Sequence, residues 1–396
     1  MSSVSLVRCD GYGREVCYRA VSEAIGHLGG MDRFVSPGMR VLVKPNILHA
    51  SEPEKAVVTH PDMVHAVCRL LKEAGCQVII AESPGAGSVY SSNGLRKAYE
   101  TVGYAEVAED LGVELNYDVE YEEVPNPQGS KIKRFLIIKP AMHVDAVVSV
   151  SKLKTHLFTY LTGGTKNLFG LIPGLEKATF HGRLPEPDDF GAMLVDLNEL
   201  VKPRLQIMDA IVGMEGDGPF SGAPRAIGAV LASPSYAAID VVAARLIRMD
   251  PQDVCTIRAA WNRGSLEKDI DEIEVLGERW EDMVVDDFKR PSTYASGKKK
   301  RSGAIERNLV KMVRVYALRP AVMHSRCSLC GRCVRSCPTG AMRESRGKVR
   351  LSHKKCIRCY TCHEMCTSSA ISLERSLGGK MVALAVERKN RGEKAP

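Results

Sequence analysis

The chain has 396 residues, 44% of them apolar and 26% charged, with 55 Lys and Arg against 47 Asp and Glu. These proportions exclude a disordered or fibrous chain and predict a globular protein large enough for two or three domains. No run of about 18 apolar residues occurs and the N-terminus has no signal-peptide core, so no membrane span is expected and the location reads as cytoplasmic.

The elements expected along the first 280 residues alternate between strand and helix. MRVLVKPN (39–46) is a β-rich run ending in polar residues. PDMVHAVCRLLKEAG (61–75) carries a helical apolar stripe opened by Pro61 and closed by Gly75. CQVIIAES (76–83), FLIIKP (135–140) and DAVVSV (145–150) read as strands, and DFGAMLVDLNELV (189–201) reads as a helix. RLQIMDAIVGMEG and IGAVLASPS are further strands, followed by a helix in YAAIDVVAARLIRMD. Nearly wholly apolar strands interleaved with amphipathic helices predict an α/β domain over 1–285 with a mostly parallel sheet flanked by helices. The carboxyl ends of such strands form the ligand-binding edge.

Polar residues gather at those expected strand ends. Lys44, Asn46, Glu82, Lys152, Lys154 and His156 all stand just past an apolar run, and Asp209 and Glu215 lie in or behind the RLQIMDAIVG strand. Lysines placed there are costly unless carboxylates or an anionic ligand neutralise them. Gly163, Gly164 and the Asn167 amide allow close backbone approach to a phosphate or carboxylate. Lys152, Lys154, His156 and Lys166 are therefore candidate catalytic residues. Lys44, Asn46, Glu82, Asn167, Asp209 and Glu215 are candidates for holding a small anionic metabolite or cofactor. For any one lysine, a surface position or a structural pairing with Glu215 or Asp240 is the plainer explanation. His60, His156 and His181 titrate near neutrality when unperturbed and are candidate proton donors. A metal site from His60, His156 and Glu82 has no short ligand spacing behind it. SPGAGS (83–88) lacks the full dinucleotide fingerprint, and neither a Walker loop nor a nucleophile elbow is present.

Past residue 285 the pattern weakens. Residues 286–323 read as a basic linker followed by a helical stretch, NLVKMVRVYALRPAV (308–322). A cysteine module follows over 324–373, then a basic tail over 374–396. Thirteen cysteines in a chain of this class point to metal or redox chemistry rather than disulfides. Eight stand in two C-x2-C-x2-C-x3-C runs, Cys327, Cys330, Cys333 and Cys337, then Cys356, Cys359, Cys362 and Cys366. Zinc modules usually pair two C-x2-C units at longer spacing, so the pattern favours iron–sulfur chemistry. The other five, Cys9, Cys17, Cys68, Cys76 and Cys255, read as small buried hydrophobes.

The module resembles the bacterial two-cluster ferredoxins over about fifty residues. The resemblance implies that Cys327, Cys330, Cys333 and Cys366 hold one 4Fe–4S cluster, and Cys356, Cys359, Cys362 and Cys337 the other. Thr367 departs from the proline that usually follows the last cysteine. Earlier in the chain, VLVKPN (41–46), THP (59–61), ES (82–83), SKLKTH (151–156), TKNLFGLIPG (165–174), MDAIVGMEGDGPFSG (208–222) and AID (238–240) resemble the domain-of-unknown-function 362 family. That family often carries such a ferredoxin appendage. The likeness implies one α/β domain fused to a small α+β two-cluster domain.

The net charge is concentrated in the cysteine module. Residues 324–373 carry ten Lys or Arg against Glu344 and Glu364, while 45 basic and 45 acidic residues balance elsewhere. Two oxidised clusters at about −2 each leave the module near +4. Such a surface suits an acidic electron carrier, ferredoxin or flavodoxin-like. No helix-turn-helix or aromatic-interleaved basic strand points to nucleic acid. Two readings follow: an oxidoreductase whose two clusters deliver electrons to an anionic substrate or cofactor bound by the α/β lysines, or a non-catalytic electron-transfer or binding protein whose clusters serve as relay or structural element.

Overall fold

The computed structural model describes residues 2–85, 90–174, 176–267, 269–294 and 319–374. The chain divides into two compact units, Met1–Pro291 and Ser292–Pro396.

The first unit is built on a sheet of nine strands. In chain order its strands and hairpins are β1 (Ser3–Arg8), β2 (Arg40–Pro45), β3 (Gln77–Ile80), β4 (Glu114–Leu115), β5 (Tyr121–Pro125), β6 (Arg134–Ile138), β7 (Ala146–His156), β8 (Tyr160–Thr162), β9 (Leu205–Glu215), β10 (Ala223–Ser233) and β11 (Glu274–Gly277). The sheet runs β11-β1-β10-β9-β7-β2-β3-β4, with β8 folded back on β7. Strands β9, β7, β2, β3 and β4 are mutually parallel, β10 runs against β9 and β1, and β11 lies parallel to β1. The fold is thus a mostly parallel mixed sheet flanked by helices. The antiparallel β10 was not legible in its apolar run, because burial on both faces gives the same pattern in either direction.

Alternation along each strand feeds two cores. Val41 and Val43 of β2 pack on one face with α1 (Arg14–His27) and α2 (Pro61–Glu73), through residues such as Val21, Val64 and Leu71. Leu42 points to the other face, against Phe190 and Leu194 of the Pro187–Val201 helix. The expected strand FLIIKP departs from the sheet: as β6 it pairs only with β5, in a separate two-stranded ribbon.

One buried carboxylate ties that ribbon's turn to the core. Asp196, fully buried, accepts the backbone N–H of Ser130 (2.7 Å), Lys131 (2.6 Å) and Ile132 (2.9 Å), together with the Ser130 hydroxyl (3.1 Å). An alanine there leaves these donors, the buried Ile132 N–H among them, without their acceptor. Asp196→Ala is expected to lower the stability of the α/β unit by about 3 kcal/mol in urea unfolding.

The second unit is a small α+β module. An N- and C-terminal strand pair, Arg319–Val322 with Ile371–Glu374, and a hairpin, Met342–Ser345 with Lys348–Leu351, frame two one-turn helices, Arg332–Arg335 and Thr361–Glu364. Residues 319–322, expected to close a helix, are therefore strand, because they have a partner in the ladder with 371–374. The remainder of the expected linker and helix at 295–318, residues 86–88 of the SPGAGS run and the tail beyond 374 lie outside the described residues. Among the described residues, no helix is long and apolar enough to cross a membrane.

Candidate functional site

The parallel strands bring most of the expected polar residues to one edge. Strand β7 runs on through His156, so Lys152, Lys154 and His156 belong to the strand rather than lying beyond it; β8 supplies the extra ladder through Lys154–Thr162 and His156–Tyr160. Lys152 stands in register with Asp209 of β9, and the ladder shifts between Lys152 and Lys154.

Two buried ion pairs occupy this edge. Lys44, at the end of β2, pairs with Glu82 just past β3, both with almost no exposure. Its ammonium also donates to Asn167 Oδ1 at 2.9 Å, while Asn167 Nδ2 donates back to the Lys44 carbonyl (3.1 Å) and to Ser149 Oγ (2.9 Å). Lys152 Nζ donates to Asp209 Oδ2 at 2.8 Å and to Tyr12 Oη at 2.7 Å. Asp209 further accepts Tyr12 Oη (2.9 Å) and the His60 backbone N–H (3.0 Å), and the Tyr12 and His60 rings stack at 3.6 Å. Lys154 Nζ donates to Asn46 Oδ1 (2.6 Å) and the Val57 carbonyl (2.7 Å). Burial pulls the Lys44 and Lys152 ammonium groups below their usual range, and the facing carboxylates oppose that shift.

Lys177, unnoticed in the sequence, joins the Lys44–Glu82 pair from the Glu176–Arg183 helix. It donates to the Ser83 carbonyl and hydroxyl, both at 2.8 Å, and to the Ile172 carbonyl. Burial lowers it to about 7, with the Glu82 carboxylate opposing the shift and Lys44 and Lys166 adding to it. The Glu82 carboxylate packs so closely on Gly170 that a Cβ there would come within 1.9 Å of Oε1. Tyr90 Oη is buried and finds no hydrogen-bond partner among the described residues.

Other expected members stand apart from this network. The carboxylate that approaches Gly163 and Gly164 is the chain's own Asp240, which accepts the Gly164 (2.6 Å) and Thr165 (3.1 Å) backbone N–H groups. Glu215 accepts the Lys289 backbone N–H at 2.9 Å, and Lys166 lies over the Phe169 ring at 5.4 Å. His156 Nδ1 accepts the Phe158 N–H at 3.0 Å, which leaves its ring proton on Nε2. Among the described residues no three His, Cys, Asp or Glu side chains converge as a single-ion site, and His60, His156 and Glu82 form none.

His181 is held neutral. Its ring stacks on Phe190 at 4.4 Å and abuts Phe158 and Phe169, and burial pushes its pKa down to about 3, with Lys166 adding to the shift. The unfolded chain takes up this proton near pH 6.5 and the folded chain only near pH 3. Stability is therefore expected to fall as pH drops from 6.5 towards 3. The His181→Phe variant should show a shallower loss over that window in pH-resolved urea unfolding.

In the second unit the eight cysteines sort into two quartets around separate small cavities. Cys327, Cys330, Cys333 and Cys366 line one; Cys337, Cys356, Cys359 and Cys362 line the other. The remote member of each quartet is fixed by backbone donors to sulfur: Ala370 N–H to Cys366 (3.1 Å), and Ala341 and Met342 N–H to Cys337 (3.2 and 3.4 Å). Each set has the four thiols that a 4Fe–4S cluster takes as ligands.

A mostly parallel α/β unit followed by a ferredoxin-type cysteine module defines an iron–sulfur protein with the equipment for electron transfer. A 4Fe-4S dicluster domain matches residues 326–371. The family described as Domain of unknown function (DUF362) matches residues 41–245, and the chain belongs to this family. It is 34% identical over 293 residues to thylakoid-associated protein sll1697 of Synechocystis, spanning 74% of this chain and 88% of that one. Among solved structures, the lactate racemase apoprotein of Thermoanaerobacterium thermosaccharolyticum aligns over 60% of this chain and 55% of its own at 13% identity, with a TM-score of 0.40. A Thermotoga maritima protein aligns over 56% of this chain and 55% of its own at 13% identity, with a TM-score of 0.30.

Proposed function

We propose that the chain is an oxidoreductase in which two 4Fe–4S clusters pass electrons to a small anionic substrate or cofactor held at the lysine-rich edge of the α/β unit. Cys327, Cys330, Cys333 and Cys366 would hold one cluster, and Cys356, Cys359, Cys362 and Cys337 the other. The observation that supports the α/β part is the burial of Lys44, Lys152 and Lys154, each at 1% exposure or less, at the carboxyl ends of adjacent parallel strands. Buried ion pairs are poor stabilisers compared with apolar packing, so a set of them at a ligand-binding edge favours a chemical role. Lys152 and Lys154 are the proposed catalytic lysines, with Lys44, Asn46, Glu82, Asn167 and Asp209 as binding partners and supports; His156, Lys166 and Glu215, which stand apart from that network, are proposed only as outlying members of the site.

Bound by those cysteines, the clusters would supply electrons singly, and a two-electron reduction would also consume two protons, which this chain's own residues must deliver. Lys177, whose ammonium burial lowers to about 7, is suited to supply one of them. The basic cysteine module favours an acidic ferredoxin or flavodoxin-like donor, and the thiols require a reducing, cytoplasm-like compartment.

The test uses anaerobic protein reduced with dithionite, freed of reductant and mixed with a panel of small carboxylates and phosphorylated metabolites. At least one should reoxidise the clusters, and Lys154→Met and Lys177→Met should slow that step while retaining iron. A compound that raises thermal stability without reoxidation would replace the reductase with the binding protein. No response to any compound would overturn both readings of the edge.

A further inference from the structure

Strand β6 keeps one edge open. It pairs only with β5, in a register that sets Leu136 opposite Glu123 and Phe135 opposite Val124. The Asn126 N–H donates to the Lys133 carbonyl at 2.7 Å, and the Lys139 N–H to the Glu120 carbonyl at 2.9 Å. Alternation between these anchors turns the backbone polar groups of Phe135 and Ile137 toward β5. Those of Arg134 and Leu136 point the other way, where β6 has no ladder partner among the described residues.

A cavity of about 400 Å³ runs along this edge. One wall is the chain from Lys131 to Leu136. The other is one face of the Glu176–Arg183 helix, carrying Glu176, Phe180 and Arg183 at i, i+4 and i+7. Residues from both faces of β6 line the space, Phe135 from one and Arg134 and Leu136 from the other, which puts it at the strand's edge. Phe135 and Phe180 are buried with ring centroids 5.8 Å apart and give the groove an apolar floor. Its charged rim is unequal: Lys131, Lys133, Arg134 and Arg183 stand against Glu123 and Glu176. Lys131 pairs with Asp189 at 2.6 Å and Arg134 with Glu123 at 3.3 Å. Lys133 donates to the Pro127 carbonyl at 3.0 Å, and the Arg183 guanidinium lies 5.6 Å from the Phe180 centroid. One cation on each wall therefore lacks a carboxylate among the described residues.

We propose that this groove receives an extended acidic segment of a partner protein, which adds to the open edge of β6 as a further strand. Its main chain pairs with the outward N–H and C=O groups of Arg134 and Leu136. Its side chains alternate, apolar ones resting on the Phe135–Phe180 floor and acidic ones reaching the cationic rim. Lysine on an edge strand ordinarily keeps other strands away, and a helix that only shielded the edge would pack against it. Here the helix stands off and leaves a space in the range of ligand sites. The inference rests on β6 and its facing helix and does not require the reductase reading.

The probe is a short fluorescent peptide of alternating glutamate and valine, added to the full-length, cluster-loaded protein. Anisotropy should report binding, and hydrogen exchange read by mass spectrometry should show slower exchange at Arg134 and Leu136. Lys133→Glu combined with Arg183→Glu should weaken binding at least about tenfold, and both side chains are exposed, so the fold is retained. Methylating alternate peptide nitrogens of the probe, in the phase that faces β6, should cost about tenfold with no change to the protein. A probe with lysine in place of glutamate should not bind. Absence of protection in β6 at saturating probe, or binding indifferent to both the methyl groups and the charge reversal, would overturn the proposal. Equal protection by free glutamate would assign the groove to a small acid and overturn it as well.

Discussion

Replacing Lys152 with methionine is expected to cost the α/β unit about 3–5 kcal/mol. The variant removes the ammonium 2.8 Å from Asp209 Oδ2 and leaves a carboxylate with no exposure facing only neutral donors, namely Tyr12 Oη and the His60 and Ile211 backbone N–H groups. The stranded charge then has no counter-ion in the interior. Adding Asp209→Asn should return much of the loss, since the pair and not either charge alone is tolerated in the interior. Urea unfolding of the two single variants and the double variant measures the coupling, and additive losses would show that the pair is not a unit.

Exchanging Cys337 for alanine should empty one cluster and leave the other. The thiol lines the cavity of Cys356, Cys359 and Cys362, 19 residues and more further along the chain, although it stands in the first cysteine run. Iron is expected to fall from about eight to about four atoms per chain. A second substitution at Cys356 should then remove nothing more, whereas one at Cys327 should remove the remaining iron. Clusters built separately from each run would give the reverse: Cys337→Ala with Cys327→Ala would spare one cluster, and Cys337→Ala with Cys356→Ala would lose both.

The cysteine runs were legible because chemistry fixes their spacing over a few residues, and the strand ends were legible because apolar runs stop abruptly at Lys44 and Glu82. The partners were not. Tyr12 meets Asp209 across 197 residues, and Asp196 meets Ser130 across 66. Asp240 reaches the Gly164 N–H from 76 residues away. No local periodicity marks such contacts. The Gly163–Gly164 pair announced close approach to an anion without saying that the anion was a side chain of the same protein. Strand β1 and Tyr12 escaped notice because SVSLVR is short and the following CDGYGR reads as an ordinary turn. The direction of β10 and the departure of β6 from the sheet depend on pairing, which apolar content does not encode.

The central claim, that this chain stores electrons in two ferredoxin-type clusters, is tested most directly on protein purified without oxygen. Iron, sulfide and zinc are measured, and dithionite reduction is followed by EPR. The account predicts about eight iron and eight sulfide per chain, no stoichiometric zinc, and signals from two interacting reduced clusters. Zinc in place of iron after growth in iron-replete medium, or iron that dithionite does not reduce, would contradict it.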